Sequence, residues 1–70
     1  MKVLVIDDDV DLMDVIGYAL RREGFNVQIA VDGQQAVQRF KASRPDVVLL
    51  EIRLQQGNGL EVLKRIREAE

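Results

Sequence analysis

The chain has no cysteine and no histidine among its 70 residues. The first absence removes disulfides and Cys-ligated zinc from consideration. The second removes imidazole as acid, base or metal ligand. Aromatic residues are limited to Tyr18, Phe25 and Phe40, too few and too scattered to stack nucleic-acid bases. Ten basic against twelve acidic side chains give a net charge of −2, which leaves no electrostatic footprint for nucleic acid. No apolar run approaches the ~20 residues of a membrane span, and no signal peptide is visible. The expectation is therefore a soluble cytoplasmic protein that binds neither nucleic acid nor membrane. A single proline, Pro45, and five glycines leave little room for low-complexity linkers. One domain, residues 1–70, accounts for the chain. At this length, folding buries only about 60% of the unfolded surface.

What is present is a set of apolar segments that run into acid. Residues 2–6 (Lys-Val-Leu-Val-Ile) precede Asp7, Asp8 and Asp9, and Val47–Leu50 precedes Glu51. The first reads as a strand covered on two faces, and the second as another wholly apolar strand. Between them, Phe25, Val27 and Ile29 alternate with Asn26 and Gln28, the pattern of a half-exposed edge strand. Three helices are predicted. The first begins at a cap from Asp9 or Asp11, buries Leu12, Val15, Ile16, Ala19 and Leu20, and ends near Gly24 in a left-handed cap. Gly17 inside it reads as a tolerated defect. The second follows the Asp32-Gly33 turn, turns Ala36, Val37 and Phe40 inward, and ends before Pro45. The third follows a loop containing Gly57, Asn58 and Gly59. Its Leu60, Leu63 and Ile66 face inward, with Lys64, Arg65 and Arg67 on a solvated face.

The order β-α-β-α-β-α implies an α/β fold with a parallel sheet and right-handed crossovers. The two wholly apolar strands should be neighbours and the alternating strand an edge, giving the order 2-1-3. Side chains on neighbouring strands then lie about 5 Å apart. Asp7, Asp8 and Glu51 would meet outside the carboxyl ends of the strands, where open α/β sheets place ligands. The plainer reading of the acidic run is a helix N-cap, but a cap needs one aspartate and Asp7 and Asp8 come too early. The chemical reading is a hard-cation site, since Mg²⁺ uses one or two carboxylates and keeps several waters. Gly57-Asn58-Gly59 gives only part of a dinucleotide fingerprint. Val62 stands where its third glycine belongs, and the acids after the first strand would repel a pyrophosphate.

Four segments together carry a resemblance. They are K-V-L-V-I-D-D-D at 2–9, the Asp32-Gly33 pair, P-D-V-V-L-L at 45–50 and G-L-E-V-L-K-R-I-R at 59–67. In order and spacing the chain resembles the first half of a bacterial response-regulator receiver domain of two-component phosphorelay signalling. The resemblance implies a flavodoxin-like half domain. It also implies a Mg²⁺ site at Asp7 and Asp8, with Asp8 favoured as direct ligand, and the backbone carbonyl of Arg53 completing it. Glu51 falls at the position where the family's aspartate accepts a phosphoryl group from a histidine kinase, and Gly59 matches the glycine before the third helix.

Three departures bear on function. Glu51 carries one methylene more than aspartate, and a displacement above about 1 Å matters where positioning supplies most of the catalysis. The same extra reach places negative charge further out, in partial imitation of a phosphoaspartate. Gln55 replaces the usual proline, and no counterpart of the family's fourth-strand Ser/Thr or fifth-strand Lys is present. The expected function is a non-catalytic, degenerate receiver-like signalling module with weak Mg²⁺ binding and no catalytic residue. It would homodimerise through the third-strand edge, Val47, Val48, Leu49 and Leu50, and could engage a signalling protein partner. The alternatives are a Mg-dependent phosphoacceptor using Glu51 or Asp8, or a trimmed or engineered piece of a longer receiver.

Overall fold

In a computed structural model, residues 1–55 and 58–70 are described. Strand β1 (Lys2–Ile6), helix α1 (Val10–Arg22), β2 (Asn26–Ala30), α2 (Gly33–Ser43), β3 (Val47–Leu50) and α3 (Gly59–Glu68) follow one another in strict alternation. The strands form one parallel sheet in the order β2-β1-β3. Val3 pairs with Val27 on one side and Val47 on the other, and Ile6 with Ala30 and Leu50. The expected order 2-1-3 is the observed one. No helix among the described residues is long and apolar enough to cross a membrane.

Alternation along β1 divides the apolar interior into two layers. Leu4 and Ile6 face α2 and α3, packing with Ala36, Val37, Phe40, Val62 and Ile66. Val3 and Val5 face α1, packing with Met13 and Val27. Helix starts follow side-chain chemistry, because the first N–H groups of a helix lack internal partners. Asp9 accepts from Leu12 N at 3.1 Å, Asp32 from Gln35 N at 2.8 Å and Asn58 from Leu60 N at 2.7 Å. Gly24, just past the end of α1, takes φ 92°, the left-handed turn expected there.

Two helix faces differ from expectation. On α1 the inward residues are Met13 and Gly17, with Ile16 and Leu20 half-buried, whereas Val15 is 66% exposed and Leu12 and Ala19 lie outside. On α3, Val62 and Ile66 are buried, while Leu60 and Leu63 are exposed. Each helix carries more apolar residues than its sheet contact can cover, so spacing alone could not choose the buried stripe. The bland reading of two glycines also changes. Gly17 lies buried against β2, where an added Cβ would stand 3.5 Å from Ile29 Cδ1. Gly59 is the first residue of α3 rather than a loop residue, and a Cβ there would stand 2.5 Å from the carbonyl oxygen of Glu51. Close backbone approach requires that glycine, not an unusual dihedral. Gly57, the other half of the expected Gly-x-Gly, lies outside the described residues.

Candidate functional site

The carboxyl ends of β1 and β3 stand level. Asp7 N extends the sheet ladder by donating to Ala30 O at 3.1 Å, and Glu51 N donates to Ile6 O at 2.9 Å. These bonds fix the first backbone atoms after each strand, so the acids that follow meet at one end of the sheet. Gly59 N donates to Ile52 O at 2.8 Å, drawing the start of α3 against the same loop. Arg53 and Asn58 pair across it in an isolated antiparallel bridge.

The side chains then diverge. Asp7 is only 8% exposed. Its Oδ1 accepts from Asp9 N at 3.0 Å. With Glu51 it lines a groove on the α1 side, walled by Leu12, Ile16, Leu49 and Leu50. Asp8 faces the other layer, in a hollow with Val10, Val31, Asp32, Leu54 and Gln55. Its Oδ2 accepts from Gln55 N at 2.5 Å, joining the loops after β1 and β3 across 47 residues of sequence. Glu51 is exposed, and its Oε1 turns back to accept from Arg53 N at 3.0 Å.

Asp7, Asp8 and Glu51 therefore share one sheet edge, as the strand endings led one to expect. Among the described residues, however, no three acidic side chains form a group able to hold one metal ion. Asp7 and Glu51 share a groove, and Asp8 is held beyond the β1 end in another. By residue type alone, Gln55 reads only as a proline replacement and Asp32 only as part of a turn. The Gln55 donor is backbone, which no side-chain pattern announces. Asn58 was legible as an N-cap one residue before an apolar-periodic run.

Comparison with known proteins matches residues 3–70 to the model of the response regulator receiver domain. The transcriptional regulatory protein TrcR of Mycobacterium tuberculosis is 41% identical over 70 residues, which is all of this chain and 27% of that protein. The alkaline phosphatase synthesis transcriptional regulatory protein PhoP of Bacillus subtilis is 34% identical over 67 residues, 96% of this chain and 28% of that protein. The chain thus spans little more than a quarter of these relatives. Among solved structures, the response regulator TrrA of Thermotoga maritima, in complex with Mg²⁺-BeF, superposes with a TM-score of 0.89 at 30% identity. That match covers 99% of this chain and 60% of TrrA. A two-component response regulator from Clostridium difficile gives 0.94 at 28% identity, covering 100% of this chain and 58% of that one.

Proposed function

The chain belongs to the response regulator receiver domain family, and from that premise we propose that it signals by binding a partner protein rather than by accepting phosphate. One observation carries this reading. The acceptor position holds Glu51, whose carboxylate is folded back on the Arg53 N–H. Phosphoryl transfer depends on in-line positioning, and the longer, tethered side chain forfeits it. The test is incubation with a small-molecule phosphoryl donor and Mg²⁺, read by intact mass. No stable phosphate adduct is expected. An adduct lost in Glu51→Gln would establish the second reading, a Mg-dependent phosphoacceptor.

Weak Mg²⁺ binding belongs to the same proposal. Asp7 and Asp8 each have one oxygen in a backbone hydrogen bond and a second to offer a hard cation. Two carboxylates, the Arg53 carbonyl, water and Glu51 as an outer group make up the oxygen donor set that Mg²⁺ prefers. The buried Asp7 carboxylate also gains from a nearby cation, since a charge removed from water costs free energy unless it is paired. When bound, the ion would offset repulsion among these acids and favour an incoming anion. That TrrA is found with Mg²⁺-BeF supports this assignment.

The partner surface in this proposal includes the outer edge of β3. Its backbone groups face away from β1, and Val47 and Leu49 are exposed. A second copy meeting this edge through Val47, Val48, Leu49 and Leu50 would pair the unpaired groups. Sedimentation at micromolar concentration is expected to give a dimer that Leu49→Lys dissociates. A folded monomer would instead favour a segment of a longer receiver, with the edge covered by the rest of its sheet.

A further inference from the structure

The chain holds two asparagines, Asn26 and Asn58. Asn26 precedes Val27, whose branched side chain crowds the next peptide nitrogen and whose backbone pairs with Val3 in the sheet. Asn58 precedes Gly59, where no Cβ obstructs that nitrogen. Attack of a peptide nitrogen on the preceding asparagine side chain is least hindered in such an Asn-Gly pair. Asn58 is exposed, yet both reacting groups are held. Its Oδ1 accepts from Leu60 N at 2.7 Å, and the Gly59 N–H donates to Ile52 O at 2.8 Å. Gly59 is also pressed into its seat. A Cβ there would stand 2.5 Å from Glu51 O and 2.6 Å from Ile52 Cα. The nitrogen that would attack thus has its proton bound to Ile52 and little room to turn.

We propose that Asn58–Gly59 is a self-modification site gated by the fold, which deamidates only while the start of α3 is lifted off the loop after β3. In the open state Gly59 N bonds to Asn58 Cγ and gives up its proton. The Cγ–Nδ2 bond breaks, and the amide nitrogen leaves as ammonia with that proton. Water then opens the resulting succinimide at either carbonyl. Cleavage at Cγ gives aspartate on an unchanged main chain. Cleavage at the main-chain carbonyl gives isoaspartate, whose main chain runs through the former side chain. The two products part at the helix start. Aspartate caps a helix as well as asparagine does, and its charge suits the N-terminal end. Isoaspartate puts one more carbon into the main chain, about 1.5 Å. It also moves Asn58 O, which accepts from Glu61 N at 3.0 Å and Val62 N at 3.2 Å, off the main chain. A seat with no room for a methyl group cannot take that added length. The isoaspartyl chain therefore stays open at α3, and the loop that carries Glu51 loses its Ile52–Gly59 tie.

The test follows the full chain at mildly alkaline pH by intact mass, with and without guanidinium chloride, and maps the product by proteolysis. Unfolded, the chain should gain one amide-to-acid mass step at position 58, and Asn58→Ser should abolish it. Folded, the step should be slower by at least about tenfold, the factor that a local opening free energy of about 1.4 kcal/mol imposes. The same opening exposes the Gly59 amide to solvent exchange, so the slowing should equal the protection factor of that amide by NMR. The isolated isoaspartyl form should lose this protection, and the aspartyl form should keep it. Equal rates in the folded and unfolded chain would overturn the gate, as would a slowing that does not follow Gly59 protection. No mass step in the unfolded chain, or one at Asn26, would overturn the site itself. Both readouts use the parent chain, so neither depends on a variant that folds.

Discussion

One face of the sheet is covered by two helices and the other by one, and the two faces differ accordingly. Three strands span roughly 10 Å between the outer axes, which is about the diameter of one helix with its side chains. Helix α1 spends that width on β1 and β2, where Gly17 lets it approach Ile29. The β3 side of the same face is left bare, with Leu49 44% exposed and lining one groove with the exposed Leu12. On the opposite face, α2 and α3 span all three strands, and Val48 and Leu50 pack against a continuous core. The contrast teaches that exposure of the Leu49 side chain follows from the lack of a covering helix over β3 on this face. Leu12 and Leu49 line one groove together with Ile16, and the end of that groove carries Asp7 and Glu51. A contiguous exposed apolar surface is the kind that a partner covers.

The sharpest way to break this contrast is to delete the closed face. Phe40 is buried between α2 and the sheet. Phe40→Ala should cost about 3–5 kcal/mol, enough to abolish cooperative unfolding in a chain this short, as followed by circular dichroism in urea. Gly59→Ala should rank next, at about 2–3 kcal/mol, the usual range for overpacking. Its new Cβ would stand 2.5 Å from Glu51 O and 2.6 Å from Ile52 Cα, both backbone atoms that cannot swing aside. The same variant should disturb the loop that carries Glu51. The contrast is then sharpened within a single strand. Leu50→Ala removes a side chain packed on the closed core and should cost about 2 kcal/mol. Leu49→Ala, one residue away on the open face, should cost no more than about 0.5 kcal/mol. Equal losses for this neighbouring pair, measured under conditions where the chain is monomeric, would show that the open face is as well packed as the closed one.

Much of the fold was legible because strands and turns announce themselves locally. Two uninterrupted apolar runs and one alternating run gave the sheet order, and Asp9, Asp32 and Gly24 marked helix ends through chemistry that acts within three residues. The buried helix faces were less legible. Met13 is almost fully buried while Val15 is not, and Val62 is buried while Leu60 and Leu63 are exposed. Those choices depend on which neighbouring elements are present to cover an apolar residue, and spacing holds no record of that. The site divides in the same manner. The two acidic edges could be located from where the strands end. The direction of each carboxylate could not, because Asp8 and Glu51 are aimed by backbone donors at Gln55 and Arg53. A main-chain N–H is common to every residue but proline, so its use leaves no signature in residue types.

A small effect of opposite sign probes how closely α1 sits on the open face. Glycine in a helix interior costs about 1 kcal/mol relative to alanine, so Gly17→Ala gains that amount if the space exists. The new methyl group would lie 3.5 Å from Ile29 Cδ1, an ordinary contact, and 3.2 Å from Arg21 Nη1, the free end of a flexible side chain. Arg21 Nη2 donates to Val27 O at 3.2 Å, and moving the guanidinium aside weakens that bond. A long, partly exposed hydrogen bond contributes at the low end of about 0.5–1.5 kcal/mol. The balance is a net stabilisation below about 1 kcal/mol, seen as a rise in Tm of a few degrees for a domain of this size. Arg21→Ala combined with Gly17→Ala separates the two parts, since without the guanidinium the full helix-propensity gain should appear. Gly17→Val adds branched bulk toward Ile29 and should reverse the sign. If Gly17→Val stabilises as much as Gly17→Ala, then α1 stands further from β2 than its packing against Ile29 requires, and the open face is open along its whole width rather than only over β3.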